Sequence, residues 1–119
     1  MKQPGFWMSL QHACRGLKAA VVGEKNIRIH LMAALLAMST GVVMRLNTWE
    51  WALLVGTIAA VLTTELLNTA LEQIVDLISP GYHPQAGLIK DVAAGAVLVM
   101  SLGAAILGSL ILLSAAGRW

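Results

Sequence analysis

Four polar residues share one face of a predicted helix and could do chemistry there. They follow directly on an apolar stretch of the chain and are Glu65, Asn68, Glu72 and Asp76. Because a helix turns about 100° per residue, their spacings place the side chains within an arc of about 80°. Ionisable groups beside a membrane span are costly unless they face protein, water or an ion, so this face is a candidate functional site. The alternative, an ordinary solvated helix end, is disfavoured because the opposite face is apolar.

The composition indicates an integral membrane protein. Of 119 residues, 58% are hydrophobic and 12% are charged, whereas soluble domains carry about 25% charged residues. The length predicts a single domain over 1–119. The net charge of +2 is too small to indicate a nucleic-acid partner, and a lone Cys14 cannot form an internal disulfide. Nothing near the N-terminus resembles a cleavable signal peptide.

The first segment, about 5–23, predicts an amphipathic helix lying on the membrane surface. Leu10 and Leu17 recur at helical spacing, while Arg15 and Lys18 fall on another side. Basic groups on such a helix can face anionic lipid headgroups. A loosely ordered basic leader is the alternative.

Three apolar segments follow, at about 29–46, 49–78 and 91–114, and predict three transmembrane helices. The first is near the lower limit for a span and suffices if its helix begins earlier. Asn47-Thr48 is expected to form the turn before the second. That second segment is long, so its polar half is expected to project out of the hydrocarbon. The third is rich in Gly and Ala, which permits close helix packing.

The basic residues are distributed unevenly across this three-span arrangement, and their positions predict its orientation. One side carries Lys2, Arg15, Lys18, Lys25, Arg28 and Lys90, whereas the other carries Arg45 and Arg118. The positive-inside rule then places the N-terminus and the loop over 79–91 in the cytoplasm. The polar helix face therefore lies on the side where nucleotide is available. Arg118 and Trp119 close the chain at the opposite interface.

The residue types favour phosphate chemistry without deciding it. Carboxylates with few His and one Cys suit Mg²⁺ better than Zn²⁺, and Mg²⁺ with a Lys commonly holds nucleotide phosphates. The chain has no Walker A motif, no kinase-type glycine-rich loop and no G-x-S-x-G elbow. These observations support a cation- or nucleotide-handling membrane helix bundle. A small transporter or proton-relay subunit and a structural partner-binding protein remain alternatives.

Three segments, Glu24–His30, Glu65–Asp76 and His83–Val97, resemble the bacterial diacylglycerol kinase/undecaprenol kinase family. The resemblance covers nearly the whole chain, in order, and the E-x-x-N-[ST]-A-x-E-x-x-x-D block is highly specific. It implies an all-α, three-span lipid kinase of the bacterial inner membrane that uses ATP and Mg²⁺. It also implies a homotrimer whose active sites are shared between subunits.

The same resemblance implies roles for individual residues. Glu65 is expected to be the general base for the lipid hydroxyl, and Glu24 and Glu72 are expected to hold Mg²⁺ on the ATP phosphates. Lys90 and Asp91 match a phosphate-binding pair. The other expected nucleotide contacts are His12, Gly81, Tyr82 and His83; the expected substrate contacts besides Glu65 are Asn68, His30 and Ala94; and Asp76 and Arg28 are supporting residues. His12 and His30 are also compatible with ordinary surface and helix-interface positions.

The lipid substrate is the least decided feature. Asn26, His30 and the His83-Pro84 pair favour undecaprenol over diacylglycerol, since the diacylglycerol kinase branch usually has Glu at the position of His30. Basic residues common in the family are replaced by Gly5, Met8 and Gly87. These replacements weaken any inference about how phosphate or headgroup is steered, and they leave the metal and base positions intact.

Overall fold

The computed structural model describes residue 3 and residues 5–118. Within that part of the chain the secondary structure is helical, in the order α1 (Phe6–Gly23), α2 (Lys25–Val43), α3 (Thr48–Ile78) and α4 (Pro84–Ala116). The prediction of an all-α protein with an N-terminal helix ahead of three spans is confirmed. Lys2 in the charge count and Trp119 at the interface lie outside the described residues.

Helices α2, α3 and α4 are each long and apolar enough to cross a membrane. Within one chain they bury little of themselves, since the most apolar windows are 11%, 22% and 6% buried. Many large apolar side chains on all three helices are exposed. Such surfaces need lipid or other helices around them, which agrees with a membrane protein.

Helix α3 is longer than a membrane is thick. Its 31 residues span about 47 Å at 1.5 Å per residue, against about 30 Å for the hydrocarbon core. Counted from Thr48, Glu65 lies about 26 Å and Asp76 about 42 Å along the axis. The helix therefore carries Glu65 to the region of the membrane boundary and Asp76 beyond it.

The helices that contain the first and third predicted spans begin before the apolar segments that define those spans. Helix α2 begins at Lys25 rather than near 29 and ends at Val43, and α4 begins at Pro84 rather than near 91. The positions of charged residues determine the predicted starts of the spans. A helix can nevertheless continue past a charged residue at the point where it emerges from the membrane. At α4, His83 Nδ1 accepts a hydrogen bond from the Gln85 N–H at 3.1 Å, and Pro84 occupies the first turn, where its fixed φ is tolerated.

The turn between α2 and α3 lies before Asn47, so the prediction of an Asn47-Thr48 turn is wrong. Asn47 caps α3: its Oδ1 accepts from the Glu50 N–H, and its own N–H donates to Glu50 Oε1, both at 2.9 Å. The chain reverses at Arg45, which has a φ of 55°. The Leu46 N–H donates to the Gly41 carbonyl at 3.2 Å, the bond expected of a helix end with one left-handed residue.

A small apolar core lies at the end of the bundle where α2 turns into α3. We call this the far end, because the polar face of α3 lies at the opposite end of the bundle. The buried members of the core are Leu46, Leu54, Ile111 and Ala115, with Trp51 packed against them. Trp49 is 81% exposed, a position typical of tryptophan at a membrane interface, whereas Trp51 lies against Gly41.

An ion pair between Arg118 and Glu50 links the end of the described chain to this core. Arg118 binds both carboxylate oxygens of Glu50, at 2.7 and 2.8 Å, and donates to the Arg45 carbonyl at 3.0 Å. Glu50 is 5% exposed. The hydrogen bonds to Glu50 raise the pKa of Arg118, so its guanidinium stays charged. Two parallel charge-assisted bonds are a strong and geometrically specific contact.

Candidate active site

Glu65 is the most buried carboxylate of the polar face. It lies on α3 with 3% of its surface exposed, and its Oε2 is 3.5 Å from Nε2 of His30 on α2. The His30 side chain is 24% exposed. The predicted base and a predicted substrate contact are therefore neighbours on two different helices. A carboxylate so deeply buried near a membrane is the pattern of a functional group rather than of a solvated helix end.

Asn68 contacts the next carboxylate along α3, that of Glu72. Its Nδ2 donates to Glu72 Oε1 at 3.3 Å, which orients Glu72. Asn68 is 8% exposed, and among the described residues its Oδ1 is a buried acceptor without a hydrogen-bond partner. An unsatisfied buried acceptor costs about 1–3 kcal/mol, so this atom is suited to receive a donor from a ligand or another subunit. Thr69, which the sequence did not single out, is buried beside it.

Asp76 forms an ion pair with Lys90 across the α3–α4 turn. Both side chains remain substantially exposed, at 63% for Asp76 and 37% for Lys90. The resemblance pairs Lys90 with Asp91, whereas the structure gives Lys90 a partner on the preceding helix. Asp91 is exposed on α4.

A cleft of about 260 Å³ surrounds this ion pair. Its walls come from the end of α3, the loop and the start of α4, and include Asp76, Gly81, Tyr82, His83 and Lys90. The structure thus brings together the loop residues expected at the nucleotide. The N-terminal end of a helix carries partial positive charge, and with Lys90 beside it this cleft is suited to an anion such as a phosphate group.

Glu24 and Arg28 lie at the junction of α1 and α2. Glu24 is half-buried and is the residue at which α1 ends and α2 begins. The Arg28 guanidinium donates to the carbonyls of Val21 and Val22 at 2.9 and 2.8 Å. Arg28 therefore binds the C-terminal turn of α1 and fixes the junction that carries Glu24.

Three predicted contacts are left outside this arrangement in a single chain. His12 is exposed on α1, and Asp91 and Ala94 are exposed on α4; none of the three is among the residues that line the cleft. Their roles stay predictions. Asp91 follows Lys90 directly, and adjacent helix positions point about 100° apart.

A second cavity, an apolar groove of about 260 Å³, runs between α2, α3 and α4 inside the membrane-spanning region. His30 lines it together with small residues such as Ala34, Ser101, Ala104 and Gly108. The sequence indicated close packing from the small residues of α4 but could not indicate which helices meet. The buried end of the polar face therefore adjoins an apolar groove.

These features define a three-span helical membrane enzyme with a buried carboxylate at the boundary and an anion-suited cleft beyond it. The family model of prokaryotic diacylglycerol kinases matches residues 11–112. The chain belongs to this family and is a lipid kinase.

Individual relatives agree with that assignment. An undecaprenol kinase of Bacillus subtilis is 40% identical over 108 residues, which cover 91% of this chain and 88% of that protein. A diacylglycerol kinase of Synechocystis is 37% identical over 111 residues, covering 92% of this chain and 63% of that protein. A diacylglycerol kinase of Escherichia coli K12 is 32% identical over 103 residues, covering 87% and 84%.

Proposed function

We propose that the chain is an undecaprenol kinase of the bacterial inner membrane, using ATP and Mg²⁺ at the cytoplasmic surface. The observation that carries this is the reach of α3. One helix holds the buried Glu65 near the membrane boundary and, about 17 Å further along its axis, contributes Asp76 to the cleft with Lys90. A lipid hydroxyl held at the interface and a phosphate chain entering from water can meet along this face.

Phosphoryl transfer at this site uses positioning and charge more than covalent chemistry. Glu65 accepts the proton of the lipid hydroxyl as its oxygen bonds to the terminal phosphorus of ATP. The bond from that phosphorus to the bridging oxygen breaks, and ADP leaves. Lys90 holds phosphate oxygens in the cleft, and Asn68 keeps Glu72 oriented through its amide.

Glu24 and Glu72 would hold the magnesium ion. In the described part of one chain no group of three or more metal-binding side chains is assembled. Mg²⁺ is commonly bound by one or two carboxylates, with phosphate oxygens and waters completing its shell, so two glutamates fit this ion. When bound, Mg²⁺ neutralises charge on the phosphates.

A homotrimer with shared sites completes the proposal. Two observations support it. The spanning helices leave most of their apolar surface uncovered within one chain, so other subunits can pack there. The buried Asn68 Oδ1 has no hydrogen-bond donor among the described residues, so a neighbouring subunit can supply one. The excess of basic residues on the side of the polar face supports the cytoplasmic orientation.

The lipid is assigned to undecaprenol because the 40% identical relative is an undecaprenol kinase. His30 and the His83-Pro84 pair favour the same choice. Diacylglycerol is the alternative, since the 37% and 32% identical relatives are diacylglycerol kinases. Both alcohols present a hydroxyl at the interface, so Glu65 could serve either.

The test is a phosphorylation assay of the purified protein with both alcohols at matched mole fraction in mixed micelles. We expect undecaprenol to give the higher kcat/KM. A tenfold preference for diacylglycerol would overturn the lipid assignment and leave the kinase assignment standing. Glu65→Gln should lose at least about 100-fold in kcat, the usual range for a general base, while still binding Mg-ATP in calorimetric titration. Wild-type turnover by Glu65→Gln would overturn the base assignment, and the absence of metal-dependent ATP binding by the wild type would favour a transporter.

A further inference from the structure

We infer that His30 acts through Glu65 as its proton partner, keeping the carboxylate charged before transfer and passing the lipid proton to water afterwards. This inference rests on the proposed function, because it takes Glu65 as the base. It gives the imidazole a different role from the substrate contact expected from the sequence. His30 is then a positioning residue for Glu65.

The burial of Glu65 requires such a partner. An ionised carboxylate that is 3% exposed is strongly disfavoured without a compensating charge or hydrogen bonds. Among the described residues, the ion pair of Glu65 is with His30, whose Nε2 lies 3.5 Å from Oε2. Catalytic contacts are often longer before substrate binds and tighten in the complex, so this separation is compatible with proton exchange.

The chemistry of the partner suits the task. Imidazole is the side chain that changes charge most readily near neutral pH. A lysine or arginine at this position would stabilise the carboxylate but would not take a proton from it. The neutral ring can accept the proton from Glu65 at Nε2 and release the one on Nδ1 to water. The step moves the hydroxyl proton to solvent and restores the carboxylate. The ring, now protonated at Nε2, donates a hydrogen bond to that carboxylate until proton exchange with water returns it to the accepting tautomer.

The exposures of the two side chains give this transfer a direction. The His30 side chain is 24% exposed and that of Glu65 is 3% exposed. A proton on Glu65 is enclosed by protein, whereas the His30 ring is the more open member of the pair and lies at the level where α3 reaches the membrane boundary. The relay therefore leads from the buried carboxylate outward through α2, and the base is regenerated before the next lipid binds.

The surroundings of His30 make the inference testable by chemical rescue. His30 lines the apolar groove beside Ala33 and Ala34 of α2 and Val61 and Leu62 of α3. Truncation to alanine would leave a space at the head of this groove next to Glu65. A small base added to the medium can occupy that space and take the proton instead, whereas a non-basic ring of equal size can only fill it.

The experiment compares His30→Ala, His30→Gln and the wild type with the preferred lipid and Mg-ATP. We expect kcat to fall about 10- to 100-fold, at or below the lower range for a proton-transfer partner, with the KM for ATP within about twofold. Added imidazole should restore His30→Ala at least fivefold, and pyrazole, which is nearly isosteric but far less basic, should not. Met32→Ala, on the same helix and 60% exposed, is the matched control for truncation.

Several outcomes would overturn the inference and are distinguishable from failure of the proposed function. A folded His30→Gln variant with wild-type kcat would show that His30 takes no part in the reaction. If Glu65→Gln is inactive in the same assay, Glu65 remains the base and the proposed function stands. Equal rescue by imidazole and pyrazole would assign His30 a packing role. A rise in the KM for ATP with unchanged kcat would place His30 in nucleotide binding. Imidazole rescue of the double variant His30→Ala/Glu65→Gln would show that the added base acts without Glu65.

Discussion

The carboxylate of Asp76 on α3 and the ammonium of Lys90 on α4 form an ion pair inside the cleft proposed for nucleotide. Both groups are partly solvated, and exposed ion pairs contribute about 0–1 kcal/mol. The pair is therefore too weak to hold Lys90 away from a triphosphate. Asp76 is better understood as a group that orients Lys90 until phosphate arrives.

This relationship predicts unequal effects from its two members. Lys90→Met should lower kcat/KM for ATP about 10- to 150-fold, the loss expected when a charged hydrogen bond of about 1.5–3 kcal/mol is removed. Asp76→Asn should cost less than about fivefold, since it removes only the orienting contact. Steady-state kinetics with ATP as the varied substrate measures both. Equal losses would mean that Lys90 acts through the ion pair rather than on phosphate.

The polar face of α3 could be predicted because it depends on helix geometry alone. A period of 3.6 residues fixes which side chains of one helix share a face, and the structure places Glu65 and Asn68 on a buried side as expected. The three-span architecture likewise follows from the length of the apolar stretches.

The contacts between helices could not be predicted in the same way. No sequence period relates His30 to Glu65, Lys90 to Asp76, or Glu50 to Arg118, since each pair depends on how two helices pack. The turn at Arg45 was missed for a different reason. Its left-handed conformation usually calls for Gly, and the sequence has arginine there.

The far-end ion pair predicts a stability effect without a catalytic one. Arg118→Gln leaves the buried Glu50 without its guanidinium, so the variant should lose activity on heating at a temperature several degrees below that of the wild type. Removing one member of a buried pair is costlier than removing both, because an uncompensated charge remains. The initial kcat before heating should be unchanged, because Glu50 lies about 22 Å along α3 from Glu65.

The double variant Glu50→Gln/Arg118→Gln supplies the control. It should regain part of the lost thermal stability relative to Arg118→Gln. If the double variant is less stable than either single variant, each residue stabilises the fold through contacts outside the pair.

Gly41 predicts a packing defect at the same end. A Cβ there would lie 2.9 Å from Trp51 Cη2 and 2.9 Å from Leu46 Cδ1. Leu46 can change its rotamer, but the indole ring cannot bend. Overpacking typically costs about 1–3 kcal/mol, which outweighs the gain of about 1 kcal/mol from replacing Gly in a helix. Gly41→Ala should therefore unfold more readily in denaturant.

Two further variants test that explanation. Trp51→Phe shortens the ring and should relieve part of the penalty when combined with Gly41→Ala. Gly16→Ala, on α1 with nothing within 4 Å of the added atom, should be neutral or slightly stabilising. A loss of stability in Gly16→Ala as large as in Gly41→Ala would point to a general effect of helix glycines.

Arg28 predicts a local effect on the junction of α1 and α2. Arg28→Gln removes the bonds to the Val21 and Val22 carbonyls, so the last turn of α1 should exchange its amide hydrogens faster. Because Glu24 lies at this junction, the KM for Mg-ATP should rise about tenfold, the lower end of the range for residues that orient metal ligands. Arg15→Gln on α1 removes the same charge from an exposed position and is the matched control. Equal effects of the two substitutions would indicate loss of membrane attraction.

Shared active sites predict complementation between two inactive variants. Suppose that in a cyclic trimer each site takes Glu24 from one subunit and Glu65 from its neighbour. A site is then intact when the subunit that supplies Glu24 is the Glu65→Gln variant and the subunit that supplies Glu65 is the Glu24→Gln variant. For random equal mixing this holds for one interface in four, so about a quarter of wild-type activity should return after co-refolding. Sites built within single chains would give no recovery. Mixing Glu24→Gln with Glu24→Ala is the control, since that pair has no intact metal-binding glutamate at this position under either arrangement.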